Sequence, residues 1–281
     1  MRTISVNKIK EAVKEMCMEA SFFLPEDVRA SLESMRQEES WPLAKETLKR
    51  ILDNADIAEN QQVPMCQDTG MTVIFATIGQ EVHFEGGSFE EAIQEGVRQG
   101  YKEGYLRKSV VKDPLFHREN TQDNTPAIIH YKIVPGEICH ILLTEKGFGS
   151  ENMSRTAMLK PSDGVQGVVD FVIETVQIAG SNPCPPIVVG VGIGGTLEKA
   201  CLLAKKALMR PLGQKHEKKE YAGLEKELLE KINALGIGPQ GFGGKTTALD
   251  VFIEVFPTHI AGLPVAVNIN CHATRHKERN L

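Results

Sequence analysis

No CxxC pair occurs among the six cysteines of this 281-residue chain, which removes the spacing on which most structural zinc sites are built. Aromatic residues are scarce, 6% with a single Trp, and acidic residues outnumber basic ones 37 to 32. A chain with net charge -5 has no basic field for a phosphate backbone and few platforms for stacked bases, so nucleic acid is not expected as a partner. No apolar run approaches the ~18 residues of a membrane span, and the opening MRTISVNKIKEAVKEM lacks the apolar heart of a signal peptide. Without a secretory signal, six cysteines point to thiols or metal ligands rather than a disulfide framework. The expectation is a cytoplasmic protein that avoids membranes. What is present suffices for a full core: 41% of residues are hydrophobic and 25% charged. An acidic chain that acted on an anionic substrate would need Arg and His gathered locally in its pocket.

Val6, Ile9, Val13, Met16 and Ala20 recur at helical spacing, and a second helical pattern runs from Trp41 to Ile51. Residues 1 to about 60 therefore read as mainly helical. VPMCQDTG breaks the pattern and MTVIFATIG follows as a β-branched strand. A helix is expected over 88–104, and AIIHYKIV and EICHILLT flank Pro135-Gly136 as the arms of a hairpin. GVQGVVDFVIETVQIAG reads as a helix, PPIVVGVG as a buried strand and TLEKACLLAKKALMR as an amphipathic helix. A further helix is expected over 221–235, with strands at TALDVFIEV and PVAVNIN. The fold class is α/β: a helical N-terminal region (1–60), then mixed sheets flanked by helices, within one domain over 1–281. QKHEKKE at 214–220 reads as a solvated linker.

The cysteines fall into two kinds. Cys17 and Cys201 lie on apolar helical faces and Cys139 lies within a strand, where a thiol packs as a small hydrophobe. Cys66 precedes a polar Gln-Asp-Thr-Gly turn, Cys184 stands between prolines in NPCPP, and Cys271 ends a strand in NINCHATRH. Proline removes backbone donors and restricts its neighbours, so Cys184 belongs to a rigid loop. Spacing alone leaves two readings open: three unrelated thiols, or three ligands of a 4Fe-4S cluster whose fourth iron stays open to substrate.

VPMCQDTGMTVIF, KGFGSENMSR, SNPCPPIVVGVGIGG, GFGGKTTALDV and PTHIAGLPVAVNINCHATR, in that order, resemble the class I fumarate hydratase and L-tartrate dehydratase α family. The resemblance runs from about residue 60 to 276. It implies that Cys66, Cys184 and Cys271 ligate a 4Fe-4S cluster and that Gln67 and Asp68 contact substrate, with Asp68 near the reacting carbons. It also implies that Gly149 and Asn152 form a substrate-binding segment, that Arg107 binds a substrate carboxylate, and that His259 is an active-site histidine. Asp68 and His259 are then the expected proton-handling groups. Each has a plainer alternative: Asp68 as a turn cap, Gln67 as a loop hydrogen-bonder, Arg107 as a surface arginine, His259 as a satisfied core histidine. His272, Arg275 and His276, at a charged C-terminal end, are set aside as solvated or interfacial.

The implied reaction is the reversible dehydration of (S)-malate to fumarate, a small-dicarboxylate hydro-lyase chemistry. L-tartrate dehydratase is the alternative within the family, and a non-catalytic iron-sulfur electron carrier the alternative outside it. Single-chain relatives continue into a further domain, whereas this chain stops soon after Cys271. The resemblance therefore implies a separate β subunit, an α2β2 assembly and a site completed by the partner.

Two nucleotide-like patterns fail on context. GVGIGG lacks the second strand and acidic residue of a dinucleotide unit, and GFGGKTT has Pro239 where a phosphate loop needs its first glycine. These glycines are expected to let backbone approach a cluster or a bound carboxylate.

Overall fold

The computed structural model describes residues 1–281. Its elements, in chain order, begin with β1 (Arg2–Ser5), α1 (Val6–Phe22), α2 (Glu26–Glu38), α3 (Pro42–Gln61), β2 (Met71–Gly79), β3 (Val82–Glu85) and α4 (Phe89–Glu103). There follow β4 (Ile128–Val134), β5 (Cys139–Lys146), the single turn α5 (Phe148–Glu151), β6 (Arg155–Leu159), α6 (Gly164–Ala179) and β7 (Ile187–Gly194). The chain closes with α7 (Leu197–Ala207), α8 (Lys219–Ala234), β8 (Ala248–Phe256), β9 (Leu263–Asn270) and β10 (His276–Asn280). It is an α/β protein, and it divides into two compact units. One comprises Met1–Pro25, Asn54–Phe148 and Arg275–Leu281; the other comprises Glu26–Asp53 and Gly149–Thr274.

In the first unit α1 and α4 cover the sheet β10-β5-β2-β4. The apolar spacing on α1 does what it promised, since Val6, Ile9, Val13, Met16 and Ala20 are all buried. Gly96 and Gly100 let the helices approach: a Cβ on Gly96 would lie 2.6 Å from the Lys10 carbonyl oxygen, and one on Gly100 2.9 Å from Cys17 Cβ. The N-terminal region is mainly helical, as expected, and is preceded by the short strand β1, paired in parallel with β3. One expectation is corrected here. The segments around Pro135-Gly136 are not a hairpin, because β2 lies between them, parallel to β4 and antiparallel to β5. The turn wraps the end of β2: Gly79 N–H donates to Ile138 O at 2.7 Å and Glu81 N–H to Gly136 O at 3.0 Å. Only glycine fits at 79, as a Cβ there would stand 2.0 Å from Gly136 O. Turn chemistry marks where a chain reverses, and which strand fills the gap is decided by nonlocal pairing.

In the second unit the sheet runs β6-β9-β7-β8, with β7 parallel to β8 and antiparallel to β9. α6 and α8 bury Val168, Val172, Val176, Leu224, Leu228 and Ile232 with Val189, Val251 and Ile269 of the sheet. α7 packs through Ala200 and Ala204 beside Ala266. The GVGIGG glycines serve this packing, which corrects the expectation that they face a ligand. A Cβ at Gly190 would be 2.1 Å from Ala204 O, at Gly192 2.0 Å from Ala200 O, and at Gly194 2.0 Å from Phe256 O. No helix is long and apolar enough to cross a membrane.

Candidate functional site

The first unit carries Cys66, Gln67, Asp68 and Arg107. Cys66 and Asp68 are half-buried, Gln67 and Arg107 exposed. Asp68 is tied down through both carboxylate oxygens: Oδ1 accepts the Gly70 N–H at 2.9 Å and Oδ2 the Phe148 N–H at 2.8 Å. The first bond is the Asx turn that a QDTG sequence favours, and each oxygen keeps a further lone pair. Gly70 has φ +76 and no room for a Cβ, which would lie 2.7 Å from the Lys146 carbonyl.

The next residue links the two segments. Thr69 Oγ1 donates to the Arg107 carbonyl at 2.9 Å, so the QDTG turn and the arginine loop are joined. Asn124 reinforces them, donating to Gly70 O at 3.1 Å while accepting the Ser109 N–H at 2.7 Å. A cavity of ≈ 390 Å³ opens beside them, lined among others by Asp68, Ser109, Arg118 and Phe148.

Arg275, set aside from the sequence as a solvated or interfacial residue, is one of the most buried side chains, 2% exposed. Its Nη1 donates to the Asp68 carbonyl at 2.7 Å. Behind the turn, Tyr101 Oη contacts Thr69 O at 2.8 Å and Gly70 O at 3.3 Å, and it is bonded to Glu145. Glu145 also meets Thr72 Oγ1, at 3.1 Å. Burial raises the Glu145 carboxyl to about 7, against the lowering effect of its bonds to Tyr101 and Cys17 and of the Arg275 charge. These residues escaped sequence reading because a buried acid inside LLTEK has no local signal. Periodicity does place Tyr101 on the inner face of α4.

The second unit carries Cys184, Cys271, Gly149, Asn152 and His259. Cys184 is exposed in its proline loop with φ 56, a left-handed backbone uncommon outside glycine. The His272 N–H reaches the Cys184 carbonyl at 3.4 Å, and His272 Nδ1 lies 2.9 Å from the same oxygen, so the loops bearing Cys184 and Cys271 are stitched together. Gly149 on α5 and Asn152 just after it are exposed, and between them Glu151 is pinned by Lys205 and by Asn268 Nδ2 at 2.9 Å. His259 is exposed, which removes its reading as a core histidine. Its Nδ1 accepts the Ala261 N–H at 3.2 Å, leaving Nε2 to carry the ring proton in the neutral form. It borders a cavity of ≈ 560 Å³ with Lys199 and Phe256.

No three His, Cys, Asp or Glu side chains converge into a ready metal cage. Cys17 and Cys139 are buried, while Cys201 on α7 is half-buried. Burial raises the Cys17 thiol well above its ordinary value and raises Cys139 and Cys201 as well, so these three resist becoming thiolates. Cys66, Cys184 and Cys271 are half-buried or exposed on irregular backbone.

Comparison with known proteins is consistent with this arrangement. The family described as "Fumarate hydratase (Fumerase)" matches residues 10–280. The "Putative L(+)-tartrate dehydratase subunit alpha" of Methanocaldococcus jannaschii is 50% identical over 274 residues, covering 95% of each chain. The L(+)-tartrate dehydratase subunit alpha of Escherichia coli is 34% identical and that of Shigella sonnei 33%, each over 96% of this chain and 90% of the relative. A match of this extent, spanning both units and every loop described above, makes the chain a member of the fumarate hydratase family of hydro-lyases, similar along its length to proteins named as α subunits.

Proposed function

We propose that this chain is the α subunit of a two-subunit hydro-lyase, cytoplasmic and α2β2, that reversibly dehydrates (S)-malate to fumarate. Cys66, Cys184 and Cys271 are its 4Fe-4S ligands, and residues 1–281 form one class I fumarase α-type domain with a helical N-terminal portion over 1–60. The carrying observation is the bond from Thr69 to Arg107 O, which joins a carboxylate-bearing turn to an arginine-bearing loop. What supports this ligand set is that all three thiols stand half-buried or exposed on irregular backbone, whereas Cys17 and Cys139 are buried in a helix and a strand. When bound, the cluster supplies a Lewis acid for the substrate hydroxyl.

Dehydration needs a weakly acidic C–H broken beside a carboxylate and a poor leaving group expelled. Arg107 offers a planar guanidinium for bidentate hold on a substrate carboxylate. Gln67, Gly149 and Asn152 supply neutral hydrogen bonds that orient the chain of the diacid. The spare lone pairs of Asp68 accept a proton at Oδ1 or Oδ2, while His259 presents a proton at Nε2. Residues of the β subunit complete the carboxylate binding.

L-tartrate is the second substrate reading, favoured by the names of the relatives. Both are tested by anaerobic reconstitution of this chain with its β partner, followed by parallel malate, fumarate and L-tartrate assays. A tenfold or greater advantage in kcat/KM for one acid, about 1.4 kcal/mol, assigns the substrate. Iron-loaded complex inactive on all three acids would refute the reading.

A further inference from the structure

Tyr101 Oη has one proton and three oxygens within hydrogen-bond reach: Thr69 O, Gly70 O and a Glu145 carboxyl oxygen. If Glu145 is ionised, that proton cannot serve both the carboxylate and the Thr69 carbonyl at 2.8 Å, and one close oxygen pair is left without a hydrogen between its members. A proton on Glu145 resolves the count. The carboxyl then donates to Tyr101 Oη, and Tyr101 donates onward to Thr69 O. We propose that Glu145 is a neutral carboxylic acid and that Glu145 and Tyr101 are positioning residues, a two-proton relay that clamps the backbone of the Gln67-Asp68-Thr69-Gly70 turn.

The surroundings favour this state. Glu145 is 2% exposed and Tyr101 fully buried. Facing Glu145 are Cys17 from α1, Tyr101 from α4, Thr72 from β2 and the Arg275 charge at the entrance to β10; its neighbour on β5, Lys146, spends Nζ on Gly147 O at 3.1 Å. The Arg275 charge lowers Glu145, yet its guanidinium donates to the Asp68 carbonyl. Desolvation is the larger effect, and the group titrates at about 7. The sign follows. A folded value of about 7 above the ordinary 4.5 gives stability that is fully present below 4.5 and lost as the pH rises through about 7. Ionisation also withdraws the Tyr101 proton from Thr69 O, loosening the turn.

The inference rests on the proposed function only for the turn's importance to substrate, and its test uses no hydratase assay, so the two readings fail separately. Difference infrared spectra of the full chain, wild type minus Glu145→Gln, should show the carbonyl stretch of a protonated carboxyl at pH 6 and its loss by pH 8. Hydrogen exchange over 66–71 should accelerate about tenfold in Tyr101→Phe and stay within about twofold of wild type at pH 6 in Glu145→Gln, whose amide N–H replaces the carboxyl donor. The Gln variant should also lose the fall in unfolding stability between pH 4.5 and 7 that Glu145 imposes. A missing carboxyl band at pH 6, or Glu145→Gln loosening the turn at pH 6, would overturn the proposal. If Tyr101→Phe does not fold, the Glu145→Gln measurements still decide.

Discussion

In the first unit the turn bearing Gln67 and Asp68 rests on Tyr101 and, behind it, buried Glu145; in the second the turn bearing Gly149 and Asn152 is held by Glu151, bonded to Lys205 and Asn268. The first support lies in a core where ionisation is expensive, so it is built from hydroxyl, thiol and a raised carboxyl. The second support is a part-buried pair of opposite charges, 18% and 27% exposed, which can remain ionised because each compensates the other. Similar loops are thus fixed by different means, and depth of burial explains the choice.

The largest effect should come from the thiols. Serine at Cys66, Cys184 or Cys271 is expected to abolish iron loading and visible absorbance after anaerobic reconstitution, whereas serine at Cys139 or Cys201 should load normally. If helix or strand thiols and loop thiols behaved alike, the sorting by backbone would be wrong. Next is Asp68→Asn, expected to lower kcat of the α-β complex by about 10²- to 10⁴-fold with iron retained. The substitution is not a silent swap for the turn, since Asp68 accepts two N–H groups and an amide turns one acceptor into a donor. Thermal unfolding must therefore accompany the kinetics, and near-normal kcat would restrict Asp68 to the turn.

Packing offers a smaller and cleaner contrast. Gly192→Ala would thrust a Cβ to 2.0 Å from a carbonyl of α7, while Gly100→Ala meets its nearest atoms at 2.9 Å. Overpacking costs about 1–3 kcal/mol, so Gly192→Ala should sit at or beyond the top of that range in urea unfolding and Gly100→Ala lower. Equal losses would mean that the two units tolerate volume alike. The smallest effect expected is Glu151→Gln, about 1–2 kcal/mol for a weakened charged bond, read as reduced stability whose deficit shrinks in high salt. Salt should not alter the consequences of Tyr101→Phe in the same way, and a common salt response would erase the distinction between the supports.

Much of this is legible in the sequence. Strand β2 falls where MTVIFATIG placed it, α1 buries the residues its spacing selected, and Cys184 lies on the loop that its prolines demanded. Local chemistry is sufficient there, because alternation, helical period and proline restriction act over a few residues. The turn at Pro135-Gly136 was equally legible as a turn. Its meaning was not, since the strand it wraps comes from more than fifty residues earlier in the chain.

What the sequence determined by itself was the α/β class and the polar turns from which the function is argued. Tertiary structure alone decided that the GVGIGG glycines admit a helix, that Arg275 lies buried beneath Asp68, and that Tyr101 and Glu145 support the turn. The reason is physical. A side chain's period assigns it a face, but its partner is whatever distant strand or helix closes over that face, and an acid's proton is governed by the dielectric and the donors that this closure creates.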